Sequence, residues 1–243
     1  MKKLIFAVAV IAAGAAMAIE SANIVGYAGG AAIKGYRIMG AQFGAIGESK
    51  AIDLTTIKVT GYDEATEADV QMQTLDQAGR GGMTYSYYDV PGELTGWLDG
   101  FDEPVVEGQI MIEPGEGMWT YAPSDAWGIQ TSGEVMTFGI QVALRKGFKM
   151  VVNTTPVAVD LTKITVDGYD EATEADVSLQ PLDQAGRGGM TYSYYDVPGE
   201  LTGWLDGFDN PVEEGSVMIK PGEGMWTSAP STAWSVTLPG VEL

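Results

Sequence analysis

Residues Gly61–Trp119 read GYDEATEADVQMQTLDQAGRGGMTYSYYDVPGELTGWLDGFDEPVVEGQIMIEPGEGMW, and Gly168–Trp226 repeat them at an offset of 107 residues. Of the 59 positions, 51 are identical. The pairs that differ are Gln71/Ser178, Met72/Leu179, Thr74/Pro181, Glu103/Asn210, Val106/Glu213, Gln109/Ser216, Ile110/Val217 and Glu113/Lys220. Within and just before this stretch the hydrophobic pattern has a period of two. Ile57-Lys58-Val59, Ile164-Thr165-Val166, Val70-Gln71-Met72-Gln73 and Val177-Ser178-Leu179-Gln180 all alternate, as half-buried strands do. Met83, Tyr85 and Tyr87 fall on one face of a strand, with Thr84, Ser86 and Tyr88 on the other. Glu113-Pro114-Gly115-Glu116-Gly117 is a turn between the short runs Gln109–Ile112 and Met118–Tyr121. Trp127–Gln130 and Val135–Leu144 complete the cycle. Only Glu64–Asp69 has helical composition, and it is too short to nucleate a helix alone.

Turn signals about every 8 to 12 residues, with 33 Gly and 11 Pro, predict an all-β fold of two tandem antiparallel sandwich or barrel-like units. Outside the matched stretch, Lys34–Met39 corresponds to Lys146–Val151 at an offset of 112, whereas Asp53-Leu54-Thr55 corresponds to Asp160-Leu161-Thr162 at 107. The first copy therefore holds five extra residues between these points, placed in a loop around Gly44–Lys50, because loops absorb length changes that strands do not. The units are read as 19–133 and 134–243. Their boundary near Thr131-Ser132-Gly133 lacks linker composition, so they are expected to abut.

Residues 1–18 read as an export signal. Lys2 and Lys3 are its charged start, Leu4–Ala16 its apolar segment, and Ala16-Met17-Ala18 a cleavage site. No later run reaches the roughly 18 apolar residues of a membrane helix, so no span is expected after cleavage. A membrane barrel is not expected either, since long strands alternating lipid-facing and lumen-facing residues are missing. The expected location is periplasm, cell surface or extracellular space.

The formal charge is −20, and loss of Lys2 and Lys3 with the signal makes it −22. So acidic a surface excludes nucleic acid and anionic headgroups as partners and favours solubility and cations. There is no Cys, hence no disulfide framework, and each unit must be stabilised by core burial. There is no His, which removes the usual general base and the commonest zinc ligand. Both absences argue against most hydrolases.

Three constellations remain. Each copy has three Trp (Trp97, Trp119, Trp127; Trp204, Trp226, Trp234) and three clustered Tyr (Tyr85, Tyr87, Tyr88; Tyr192, Tyr194, Tyr195). Trp119 and Trp127 lie beside strand-like runs and are read as core. Tyr88 and Trp97, with Tyr195 and Trp204, are read as surface contacts for a ligand or partner such as a glycan: Tyr88 opposes the Tyr85 face, and Trp97 lies in a Gly-rich segment. The loops Asp99-Gly100-Phe101-Asp102-Glu103 and Asp206-Gly207-Phe208-Asp209-Asn210 place oxygens three apart. Asp99, Asp102, Asp206 and Asp209 could hold Ca2+, or each loop could be an Asx turn whose carboxylate accepts backbone N–H groups. Paired carboxylates for glycoside hydrolysis need no His, with Glu64, Glu67, Asp69, Asp89, Glu93 and Asp99 as candidates. Gln77–Gly82 is Gly-rich but lacks the Lys-Ser/Thr of a phosphate loop. Arg80 and Arg187 are expected in structural ion pairs, and Asn153-Thr154-Thr155 fits a glycosylation sequon.

The order Glu20-Ser21-Ala22-Asn23-Ile24-Val25-Gly26-Tyr27, strand-rich unit, Gly-Trp and Pro-Gly-Glu-Gly-Met-Trp resembles a group of exported bacterial tandem-repeat proteins with one such turn per unit. The resemblance implies no activity and lends no functional residue. From the residues themselves, a non-catalytic surface, structural or adhesion protein that self-associates is expected, without a required cofactor. A bivalent glycan-binding module and a carboxylate-based glycoside hydrolase are the alternatives.

Overall fold

The computed structural model describes residues 25–31, 35–40, 43–45, 50–61, 70–75, 81–90, 92–124, 127–144, 146–168, 177–181, 189–197, 199, 201–231 and 234–240. The expected signal, the Glu64–Asp69 segment, Arg80 and Arg187 lie outside these residues.

The first unit contains β1 (Val25–Ala31), β2 (Gly35–Met39), β3 (Phe43–Gly44), β4 (Ile52–Asp53), β5 (Lys58–Thr60) and β6 (Val70–Leu75). It continues with β7 (Gly81–Val90), β8 (Leu94–Leu98), β9 (Met111–Ile112), β10 (Met118–Ala122) and β11 (Gly128–Val135). The second contains β12 (Ile140–Ala143), β13 (Gly147–Val152), β14 (Val159–Asp160), β15 (Thr165–Asp167) and β16 (Val177–Pro181). Its remaining strands are β17 (Tyr192–Val197), β18 (Leu201–Leu205), β19 (Met218–Ile219), β20 (Gly224–Ala229) and β21 (Ser235–Leu238).

The protein is all-β, built from several antiparallel sheets, none of them closed among the described residues. Each unit has a five-stranded sheet, in the orders β2-β10-β6-β7-β8 and β13-β20-β16-β17-β18. Against it lies a smaller sheet around β11 or β21. The alternation read from the sequence sets the layers. In β10, Met118, Thr120 and Ala122 point into the core while Trp119 and Tyr121 face away; in β7, Tyr85 and Tyr87 point inward. They meet Ile57, Val59, Trp127 and Ile129 from the facing layer, and Val166, Trp234 and Val236 do the same in the second core.

Strand pairing also fixes the repeat register. Ala28 pairs with Thr131 in the first unit and Ile140 with Leu238 in the second, so the 112-residue offset holds along β1 as well as β2. The return to 107 is complete by β4, since Ile52 pairs with Ile112 as Val159 does with Ile219. The longer first copy adds β3, which pairs with the end of β11, and Lys50 there forms an ion pair with Glu134. β11 runs to Val135, two residues past the expected boundary, and Met136 is buried in the second core.

The units meet through the Pro-Gly-Glu-Gly turn. Gly117 N–H donates to the Met150 carbonyl at 3.2 Å and Val152 N–H to the Gly115 carbonyl at 2.9 Å, so the first unit's turn extends the edge of β13. Glu116 folds back to accept from its own Glu113 N–H at 3.1 Å, and Glu223 does the same for Lys220. Between the units Ile38, Met150 and Val152 form a small core flanked by Trp119 and Trp226, whose ring centroids are 5.8 Å apart. Ile38 and Met150 hold equivalent places in the two copies, as do Gly117 and Gly224. Each large residue lies against the other unit's glycine, but the hydrogen bonds are one-sided: the second unit's turn bonds to its own Asn153, by Asn153 N–H to the Glu223 carbonyl and Gly222 N–H to the Asn153 carbonyl.

Candidate functional site

β8 and β18 end in hairpins that match except at Glu103/Asn210, at the sheet edges farthest from the junction. Three inter-strand spacings, about 14 Å, separate β8 from β10 and β18 from β20. Asp99 N–H donates to the Glu103 carbonyl at 2.8 Å and Asp102 N–H to the Asp99 carbonyl at 3.1 Å. The Asp99 carboxylate accepts from Phe101 N–H at 2.8 Å and Glu103 N–H at 3.0 Å. Asp206 binds Phe208 N–H and Asn210 N–H in the same way, at 2.8 and 2.9 Å. Those two N–H groups hold the Asp206 carboxyl below its ordinary pKa. Asp102 and Asp209 complete the turns at φ of 62° and 60°, a left-handed conformation that Asp tolerates better than most residues.

The Asx-turn reading of these loops is thus the one the geometry follows. Asp99 and Asp206 aim their oxygens at their own backbone. Among the described residues no group of three or more His, Cys, Asp or Glu side chains is placed to hold a metal ion. What each hairpin presents instead is an aromatic ring: Phe101 is 76% exposed and Phe208 75%. Met83 and Met190, also exposed, lie beside the turns, at 3.3 and 3.6 Å from Cβ positions built on Gly100 and Gly207. The spacing of the flanking carboxylates gives no indication of Phe101. The signal for it was a lone large apolar residue between turn-forming Gly and Asp.

Trp97 and Trp204, expected as exposed loop residues, are corrected: both are strand residues only 3% exposed. Gly96 and Gly203 have φ of 148° and 144°. The register with β7 runs unbroken through Gly96, setting Trp97 opposite Tyr87 on the core face, while Leu98, opposite Ser86, is buried as well. Trp97 Nε1–H donates to the Ile57 carbonyl at 2.9 Å, and Trp204 to Ile164 at 2.8 Å. Tyr87 and Tyr194 meet these indoles edge-on at 5.2 Å. Neither Trp offers a face to a ligand. Tyr88 and Tyr195 are half-buried on the outer sheet face, opposite Gly96 and Gly203. The structure therefore does not bring Tyr88, Trp97 and the acidic loop to one surface.

Of the hydrolase candidates, Asp89 accepts from the Thr95 hydroxyl at 2.8 Å, as Asp196 does from Thr202. Asp99 caps its own turn, and Glu64, Glu67 and Asp69 lie outside the described residues. Asn153 of the sequon is fully buried. Its amide donates to the Val157 and Ile219 carbonyls and accepts from Thr155 N–H and Oγ1, all at 2.7–2.9 Å.

Two further surfaces are concave. A cleft of about 690 Å³ between the units is lined by Met111, Pro114, Met136, Phe138, Ile140 and Val142, with Lys50, Lys149, Glu113 and Glu116 also on its wall. A smaller groove of about 260 Å³ lies on the outer face of the first five-stranded sheet, lined by Gln71, Gln73, Thr84, Trp119 and Tyr121. Trp119, expected in the core, is half-buried here because its strand parity turns it away from Met118 and Thr120. No known protein family, curated protein or solved structure matches the chain. Among the described residues no helix is long and apolar enough to cross a membrane.

Proposed function

We propose that this is an exported, non-catalytic structural or adhesion protein of the cell surface or extracellular space, which makes its contacts through the Phe101 and Phe208 hairpins. The observation that supports this best is the presentation of the same exposed ring at the far edge of both units. Each ring stands on a turn whose backbone is hydrogen-bonded before contact, which lowers the entropy cost of ordering the loop on binding. A molecule with two such points can join two neighbours, and copies joined tip to tip extend without any further contact surface.

The charge of −20 opposes association between copies at low salt, where the Debye length is about 30 Å at 0.01 M, and does so far less at 1 M, where it is about 3 Å. Sedimentation of the mature chain over a range of concentration and salt tests the reading. Larger species should appear at high salt, and Phe101→Ser with Phe208→Ser should return the protein to monomer without lowering its melting temperature. A wild-type chain that stays monomeric throughout, or a double variant that still assembles, overturns the reading.

A further inference from the structure

The two units are nearly copies, so places where they differ report on what one unit does and the other does not. Gln71 and Tyr121 are paired across β6 and β10, and both line the 260 Å³ groove. At the equivalent register of the second unit the pair is Ser178 and Ser228. The other groove residues persist in sequence as Gln180, Thr191 and Trp226. Both members of one cross-strand pair have thus changed, from an amide and a phenol to two small hydroxyls, while the other three groove residues are kept in sequence.

The chemistry of the groove is specific. Trp119 and Tyr121 project from alternate positions of one strand and face away from the core. Gln73 stands in register with Trp119 on one side and Thr84 on the other, and its Nε2 is held by the Gly82 carbonyl at 3.0 Å, which fixes the amide plane. Trp226 of the other unit braces Trp119 at 5.8 Å. Among the described residues the groove wall has two aromatic rings, two amides and a hydroxyl, with no ionised group. Flat aromatic faces take the C–H faces of a sugar ring, and amides both donate to and accept from hydroxyls. A ligand without charge is favoured, because an anion would enter against the field of a −20 chain.

The geometry points to a single binding site for neutral saccharides on the first unit, formed by Gln71, Gln73, Thr84, Trp119 and Tyr121, which the second unit lacks because Ser178 and Ser228 replace its amide and ring. The site is separate from the hairpin tips and does not rest on their role. At about 260 Å³ it is smaller than the roughly 300–1,000 Å³ pocket of a drug-sized ligand, and it lies on an open sheet face, which suits a short stretch of a glycan chain rather than an enclosed molecule.

Titration calorimetry of the mature chain with neutral gluco-, manno-, galacto- and N-acetylglucosamine oligosaccharides, and with a galacturonate oligomer as the anionic comparison, tests this. At least one neutral oligosaccharide should bind with a stoichiometry of one, and the galacturonate should not. Gln71→Ser with Tyr121→Ser should weaken binding by about tenfold or more while the melting temperature holds, since the second unit folds with serines at these positions. The reverse exchange, Ser178→Gln with Ser228→Tyr, should raise the stoichiometry to two. Phe101→Ser with Phe208→Ser should leave binding unchanged, which separates this site from the tips. Absence of binding to every neutral oligosaccharide at about 10 mM, a wild-type stoichiometry of two, or indifference to the double serine variant overturns the inference.

Discussion

Ile38 of the first unit occupies the space that a Cβ on Gly224 of the second would need. Its counterpart Met150 stands with its own Cβ 2.9 Å from the Cβ position of Gly117. A single added methyl group therefore has to push the units apart at either point. Gly117→Ala and Gly224→Ala should each cost about 1–3 kcal/mol, the range for overpacking a tight contact. A glycine in a strand without such neighbours would gain from the same change. Urea unfolding measures this, and a neutral or stabilising result at both positions would contradict the junction described.

The buried indoles give a second test. Trp97→Phe keeps most of the ring but removes the donor to the Ile57 carbonyl, and should cost about 1–3 kcal/mol through an unpaired buried acceptor. Trp97→Ala should cost about 3–5 kcal/mol. Trp204 should behave alike, and the two effects should add, because the residues stand in different cores. Saccharide binding should be unaffected by Trp97→Phe.

Acid should weaken the fold through carboxylates that cap loops. Asp53 accepts from Thr55 N–H and Oγ1 and from Gly108 N–H, while Asp160 accepts from Thr162 N–H and, at 2.6 Å, Gly215 N–H. Burial alone would raise both pKa values, but these donors outweigh it and hold both carboxyls below the ordinary value. A lowered folded pKa means stability that is present above the unfolded value of about 3.9 and is lost as pH falls through the folded one. Thermal melts between pH 7 and pH 2 should show this loss. Asp53→Asn with Asp160→Asn should flatten it and cost about 1 kcal/mol per site at neutral pH, the usual scale for a lost cap.

Asn153 should behave as a structural lock. Its replacement by Ala leaves the carbonyls of Val157 and Ile219 and the N–H of Thr155 without their side-chain partner, and should cost at least about 2 kcal/mol. A fully buried amide that donates to two carbonyls also leaves no room for a glycan, so the folded chain should carry none at this sequon when expressed in a glycosylating host. Intact mass reads that directly.

Much of the architecture was legible because strand alternation is a local property. Tyr85 and Tyr87 inward, the turn at Glu113–Gly117 and the extra length before Lys50 all follow from spacing alone. Trp97 was misread because its Gly-rich surroundings read as a loop, whereas the pairing of β8 with β7 sets it opposite the inward Tyr87, and one-dimensional spacing does not carry that pairing. Trp119 was misread for a different reason. Parity puts it on the face opposite Met118, but only the pairing of β10 with β6 shows that Gln71, Gln73 and Tyr121 stand beside it. For the acidic loops spacing left a calcium site and an Asx turn both open, because it counts oxygens without showing which N–H groups Asp99 and Asp206 accept from.

By itself the sequence determined the all-β class, the two units and their internal offset, since these depend on the period of the chain and on which residues permit turns. The tertiary structure decided what the doubling does. It put the Pro-Gly-Glu-Gly turn between the units, where only glycine leaves room for Ile38 and Met150, and sent Phe101 and Phe208 to edges remote from that junction. It also placed Gln71 beside Tyr121, fifty residues on in the chain, so that two substitutions unrelated in the sequence became one change in a single groove.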